Sequence, residues 1–149
     1  MFAEVMREDA YHSYRIRLES LLGIPLNACD HDIHKMIEAG FAPAKLKELY
    51  DIGMINASEC DQIIAPHTLK ARLTVKKRLT LYESDRLYRY VHITSMAAVL
   101  FGDEIKARRW LSKPKGRFAG RTPLDMLSTF PGTRQVELTL MQVAEPFAF

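Results

Sequence analysis

The chain has 149 residues, 48% of them hydrophobic and 26% charged, enough apolar material for one or two small cores without disulfide or metal staples. A membrane protein and a secreted scaffold are excluded: no apolar run approaches the roughly 20 residues a spanning helix needs, the start lacks a secretory signal, and the two cysteines, Cys29 and Cys60, fit a reducing, cytoplasmic setting. The net charge of +3 conceals a basic centre, since residues 67–121 carry 14 basic and 4 acidic side chains, which reads as an anion-binding surface or a solvated basic face.

Residues 1–9 show no clear period. From about Tyr11 to Leu22, the residues Tyr14, Leu18, Leu21 and Leu22 recur at helical spacing until Gly23 and Pro25 end the run, which predicts a first helix. Asp30 or Asp32 is placed to cap a second helix that holds Ile33, Met36 and Ile37 and stops at Gly40. A third runs from about Pro43 to Ile52, with Leu46, Leu49 and Tyr50 turned inward and Gly53 as its stop.

Asn56 or Ser58 then caps a short helix that reaches Ile64. Ala65 and Pro66 turn the chain, and a basic, amphipathic helix starts at His67 or Thr68 and runs to about Val75. Two short helices joined by a tight turn are what a helix-turn-helix requires. In that arrangement Ile63, Ile64, Leu69 and Leu73 pack, while His67, Thr68, Lys70, Ala71 and Arg72 face a major groove. Lys76, Lys77 and Arg78 follow directly, placed to meet phosphates. The expected DNA contacts are therefore His67, Thr68, Lys70, Arg72, Lys76, Lys77 and Arg78.

Thr80 and Glu83 form a capping box that launches the longest helix, nearly all core, to about Phe101. Asp103 caps the next, with Ile105, Trp110 and Leu111 inward and Lys106, Arg108 and Arg109 outward; Trp110 reads as a core anchor. A basic, glycine-flanked loop follows, where Phe118 between Arg117 and Arg121 suits nucleic acid, a protein pocket, or a loop covering its own core. Thr122, Pro123 and Asp125 specify another helix start. Pro131 and Gly132 break that helix, and a last one runs from about Thr133 to Ala144 with Val136, Leu140 and Val143 on one face. The chain ends in Glu145, Pro146, Phe147, Ala148 and Phe149, whose two rings need something to bury them.

The strongest candidate for a metal or catalytic site is the cluster Cys29, Asp30, His31, Asp32 and His34, with Cys60, Asp61 and His67 distant in sequence. It lacks the repeated Cys and His spacing of zinc sites, and no triad, carboxylate pair or phosphate loop is recognisable. No catalytic residue, metal or cofactor is expected, and the chain is not read as an enzyme.

Ala107, Trp110, Leu111, Pro114, Gly120, Thr122, Pro123, Leu124, Leu127, Thr129, Gly132 and Val136 stand in the order and spacing of the C-terminal toxin-binding domain of the Xre/MbcA/ParS antitoxins, and the stretch resembles that domain. The likeness continues upstream through Leu79 to Gly102, and more loosely over the whole chain. It implies a mainly α fold, with a helical Xre-like helix-turn-helix domain over residues 1–78 and a helical toxin-binding and dimerisation domain over 79–149. It implies a RES-domain, NAD-degrading toxin as partner, blocked sterically at its active site by Arg117, Phe118, Arg121, Glu145, Phe147 and Phe149. It also implies a homodimer on operator DNA that represses its own promoter. A free-standing helix-turn-helix regulator with no toxin is the main alternative, followed by an adaptor that binds no DNA.

Overall fold

The computed structural model describes residues 6–144, and the tail residues Glu145, Phe147 and Phe149 lie outside them. Among the described residues all regular structure is helical: α1 (Glu8–Leu22), α2 (Asp30–Ala39), α3 (Pro43–Asp51), α4 (Ala57–Ile63), α5 (Pro66–Val75), α6 (Leu81–Phe101), α7 (Glu104–Leu111) and α8 (Phe130–Ala144), with 3-10 turns at Gly116–Phe118 and Leu124–Ser128. The mainly α class expected from the hydrophobic periods is the one observed. None of these helices is long and apolar enough to cross a membrane.

The chain divides into two compact units, Glu19–Tyr88 and Met1–Leu18 with Arg89–Phe149. Those boundaries fall within α1 and α6, not at residue 78, where the change in sequence pattern lies. Packing and pattern divide the chain differently because one long helix can serve two cores.

In the unit 19–88, Ile24, Ile33, Phe41, Leu46, Leu49, Ile55, Ile63, Ile64, Leu79 and Leu87 are buried. Local chemistry sets most of its helix ends. Asn56 accepts from the Glu59 amide at 2.9 Å while Glu59 accepts from the Asn56 amide at 2.9 Å, so two otherwise orphaned donors at the start of α4 are satisfied. The start of α2 departs from expectation: its N-cap is Cys29, and Asp32 is the partner that accepts from the Cys29 amide at 3.0 Å. Gly40 ends α2 with φ +89, and a Cβ there would lie 2.2 Å from the Leu79 carbonyl oxygen. Only glycine admits both the turn and that approach. Tyr50, expected inward, is half exposed at the end of α3.

In the other unit, Val91, Ile93, Met96, Ala97, Leu100, Leu111, Phe118, Val136 and Leu140 are buried. A polar line crosses this interior: the Tyr14 hydroxyl lies 2.5 Å from His92 Nδ1, and His92 Nε2 lies 3.6 Å from a Glu137 carboxylate oxygen. Polar groups this deep are tolerated because each finds partners. Asp103 caps α7, accepting from the Ile105 and Lys106 amides at 2.7 and 3.2 Å.

The end of the chain corrects the expected breaks. The Thr122 and Asp125 box forms, with bonds of 3.3 and 3.1 Å, but it starts a 3-10 turn and not an α-helix. Thr129 is the true cap of α8, accepting from the Gly132 amide at 3.1 Å. Pro131 and Gly132 therefore sit in the first turn, where proline's missing donor costs nothing. Ile105 is 72% exposed where an inward residue was expected, and Val143 is exposed while Val136 and Leu140 are buried.

Candidate functional site

The first candidate surface is α4 and α5, with α3 packed against both. Ile64 and Ala65 are extended and turn the chain sharply, and Pro66 opens α5 at a position that needs no N–H. The expected packing residues Ile63 and Ile64 are buried. Leu69 and Leu73 are only half-buried, and α5 has no fully buried residue.

The arginines of this region are engaged by the fold to different degrees. Arg72 pairs with the Glu83 carboxylate, with side-chain exposures of 15% and 12%. Arg78 donates to the Gly40 carbonyl at 2.7 Å, and Arg86 donates to the Ile63 carbonyl at 2.8 Å, at the end of α4. Each of these planar guanidinium groups satisfies an acceptor of the fold. Arg72, expected to face outward, instead turns inward. His67, Lys70, Ala71, Lys76, Lys77 and Arg78 are exposed and Thr68 is half-buried. Burial opposes ionisation of Glu83, but its bond from the Thr80 amide and the Arg72 charge prevail and hold its carboxyl below the usual range.

The second candidate surface is the loop before α8. It is tied to itself by backbone bonds: Lys115 to Arg121 at 3.0 Å, Phe118 and Gly120 to Lys115 at 3.1 and 2.9 Å, and Arg121 to Phe118 at 3.1 Å. Phe118, expected as a partner contact, is 4% exposed. Its ring is the plug on which this loop closes, since burying an aromatic stabilises the loop where solvating it does not. Arg117 and Arg121 remain on the outside. Arg117 donates to Gln142 Oε1 at 2.9 Å, which brings the loop to the C-terminal end of α8, next to residues 145–149 in the chain.

Trp110 is half-buried, not a core anchor. It sits 6.0 Å from the Phe101 ring, with the Lys115 ammonium 5.0 Å over its own ring. Burial, and then repulsion from Lys113, lower the Lys115 pKa. On α8, Phe130, Leu138 and Val143 are exposed apolar residues. Periodicity pointed to the buried stripe through Val136 and Leu140 and put Val143 on it; the four-residue spacing of Phe130, Arg134, Leu138 and Gln142, all exposed, was the available signal for the other face.

Of the residues in the Cys29 cluster, Asp32 is engaged by the Cys29 amide, which lowers its pKa, and His34 lies 3.2 Å from Glu38. Cys60 is buried in α4, and burial raises its thiol pKa.

Residues 96–145 match the family described as the antitoxin Xre/MbcA/ParS C-terminal toxin-binding domain. The chain is also 52% identical over 147 residues to a protein of Pseudomonas putida strain KT2440 named antitoxin Xre, an alignment that covers 99% of this chain and 92% of that protein.

Proposed function

The chain belongs to the Xre family of antitoxins and carries the Xre/MbcA/ParS toxin-binding domain at its C-terminal end, and from that membership we propose that its partner is a RES-domain toxin that degrades NAD. Binding a toxin is the role the family assigns; the identity of that toxin and the manner of inhibition are our reading. Inhibition is steric and involves no chemistry by this chain. Residues 79–149 cover the toxin's active site, and Arg117, Arg121, Glu145, Phe147 and Phe149 meet its rim and interior. Phe118 supports this surface from beneath.

The observation that carries the reading is the bond from Arg117 to Gln142 at 2.9 Å. It places a cation beside the exposed face of α8, where Leu138 is one turn earlier, and the chain then continues directly into the tail. An apolar centre with a charged rim is the anatomy of a protein interface. Residues 1–78 supply a second activity, binding operator DNA as a cytoplasmic homodimer through α5, with His67, Thr68, Lys70, Lys76 and Lys77 as contacts. Exposed Arg78 joins these contacts, and Arg72 acts there through the fold.

The test is co-expression with the neighbouring RES-domain protein, followed by co-purification and measurement of NAD consumption. A stable complex that spares NAD is expected, and removing residues 146–149 should restore consumption without unfolding the chain. No complex, together with tight promoter binding, would leave a free-standing regulator.

A further inference from the structure

The outward face of α5 exposes apolar groups beside its lysine. His67, Ala71, Thr74 and Val75 follow one another at helical spacing, and all four are exposed, Val75 by 68%. The Thr74 hydroxyl donates back to the Lys70 carbonyl at 2.9 Å, so its donor is spent and its methyl is among what the side chain offers to an outside partner. A valine this exposed contributes nothing to the core, and it stands among Lys70, Lys76 and Lys77, which are also exposed. Within α5 the one arginine that could grip guanine with two parallel bonds, Arg72, is drawn inward to Glu83, while Arg78 beyond the helix is exposed with one guanidinium nitrogen held by the Gly40 carbonyl.

In the major groove the bases present one apolar group, the C5 methyl of thymine. The geometry points to α5 as a reader of thymine methyls: Ala71, Thr74 and Val75 lie against the methyls of A·T pairs while Lys70, Lys76 and Lys77 hold the flanking phosphates. This rests on the reading of α5 as the recognition helix and specifies the class of sequence it selects. The protein would discriminate by apolar contact at the centre of its site and would owe its salt dependence to lysines.

The experiment selects duplexes from a randomised pool with the full-length protein, then measures affinity for a selected duplex and for the same duplex with every thymine replaced by uracil. Thymine is expected at fixed positions, and uracil should weaken binding about four-fold per contacted methyl, the equivalent of roughly 0.8 kcal/mol for one methylene-sized group. Val75→Ala exchanges an exposed residue for a better helix former; it should shrink the uracil penalty and leave the salt slope unchanged. Equal affinity for thymine and uracil duplexes would overturn the inference. If, in addition, Val75→Ala weakened self-association in sedimentation, the outward face of α5 would be a protein interface. Selection of no duplex at all would remove the DNA-binding reading itself.

Discussion

Arg72 and Glu83 join α5 to the start of α6 through an ion pair whose side chains are 15% and 12% exposed. Glu83 also accepts from the Thr80 amide at 2.8 Å, so one carboxylate serves as both cap and counter-ion. Replacing Arg72 by Ala leaves that carboxylate partly buried without its cation and should lower stability by about 1–3 kcal/mol. Lys70→Ala should leave the urea midpoint in place and weaken DNA binding alone. The two variants, compared by denaturation and by DNA titration, separate an arginine of the fold from a lysine of the surface.

The same pair makes stability depend on pH. The folded-state pKa of Glu83 is lowered, so its contribution is fully present above the ordinary glutamate range and is lost as pH falls through about 4 and below. Urea midpoints of the protein and of Glu83→Gln should differ at pH 7 and converge toward pH 3. A gap that stays constant with pH would show that the pair carries no such linkage.

Gly132 has no unusual φ, yet a Cβ on it would stand 2.0 Å from the Met126 carbonyl oxygen and 3.0 Å from Thr129 Oγ1. Backbone must move to admit even alanine. Gly132→Ala should therefore destabilise by about 3 kcal/mol or more, separating the Leu124–Ser128 turn from α8. Thermal unfolding measures this directly, and an unchanged midpoint would mean that the turn can slide away.

Phe118 and Arg117 are neighbours with opposite expected effects. Phe118→Ala removes a buried ring and should cost about 3–5 kcal/mol. Arg117→Ala removes an exposed cation with one bond to Gln142 and should change stability by less than about 0.5 kcal/mol. If the loop meets the toxin, Arg117→Ala should still weaken co-purification while its melting curve overlays that of the parent protein.

The helices were legible because their ends are local. Asn56 with Glu59, Thr80 with Glu83 and Asp103 each satisfy orphaned amides within a single turn, so residues two or three apart carry the whole signal. The start of α8 was misread for the converse reason. Pro131 and Gly132 resemble a break, and only the Thr129 cap and the approach of the Met126 carbonyl make them a first turn. The candidate surfaces divided in the same way. The concentration of cations in residues 67–121 is visible in sequence, whereas the bonds that engage Arg72, Arg78 and Arg86 depend on acceptors 11, 38 and 23 residues away.

The sequence by itself determined that this chain is helical, where most of its helices cap and stop, that its centre is basic, and that its C-terminal part has the spacing of a toxin-binding domain. Tertiary structure alone decided that Phe118 is a plug, that Ile105 and Val143 are exposed, and that Lys70 rather than Arg72 faces out of α5. Caps and periods act over one or two turns of chain, while the burial of a ring or a guanidinium group depends on which distant backbone comes to meet it.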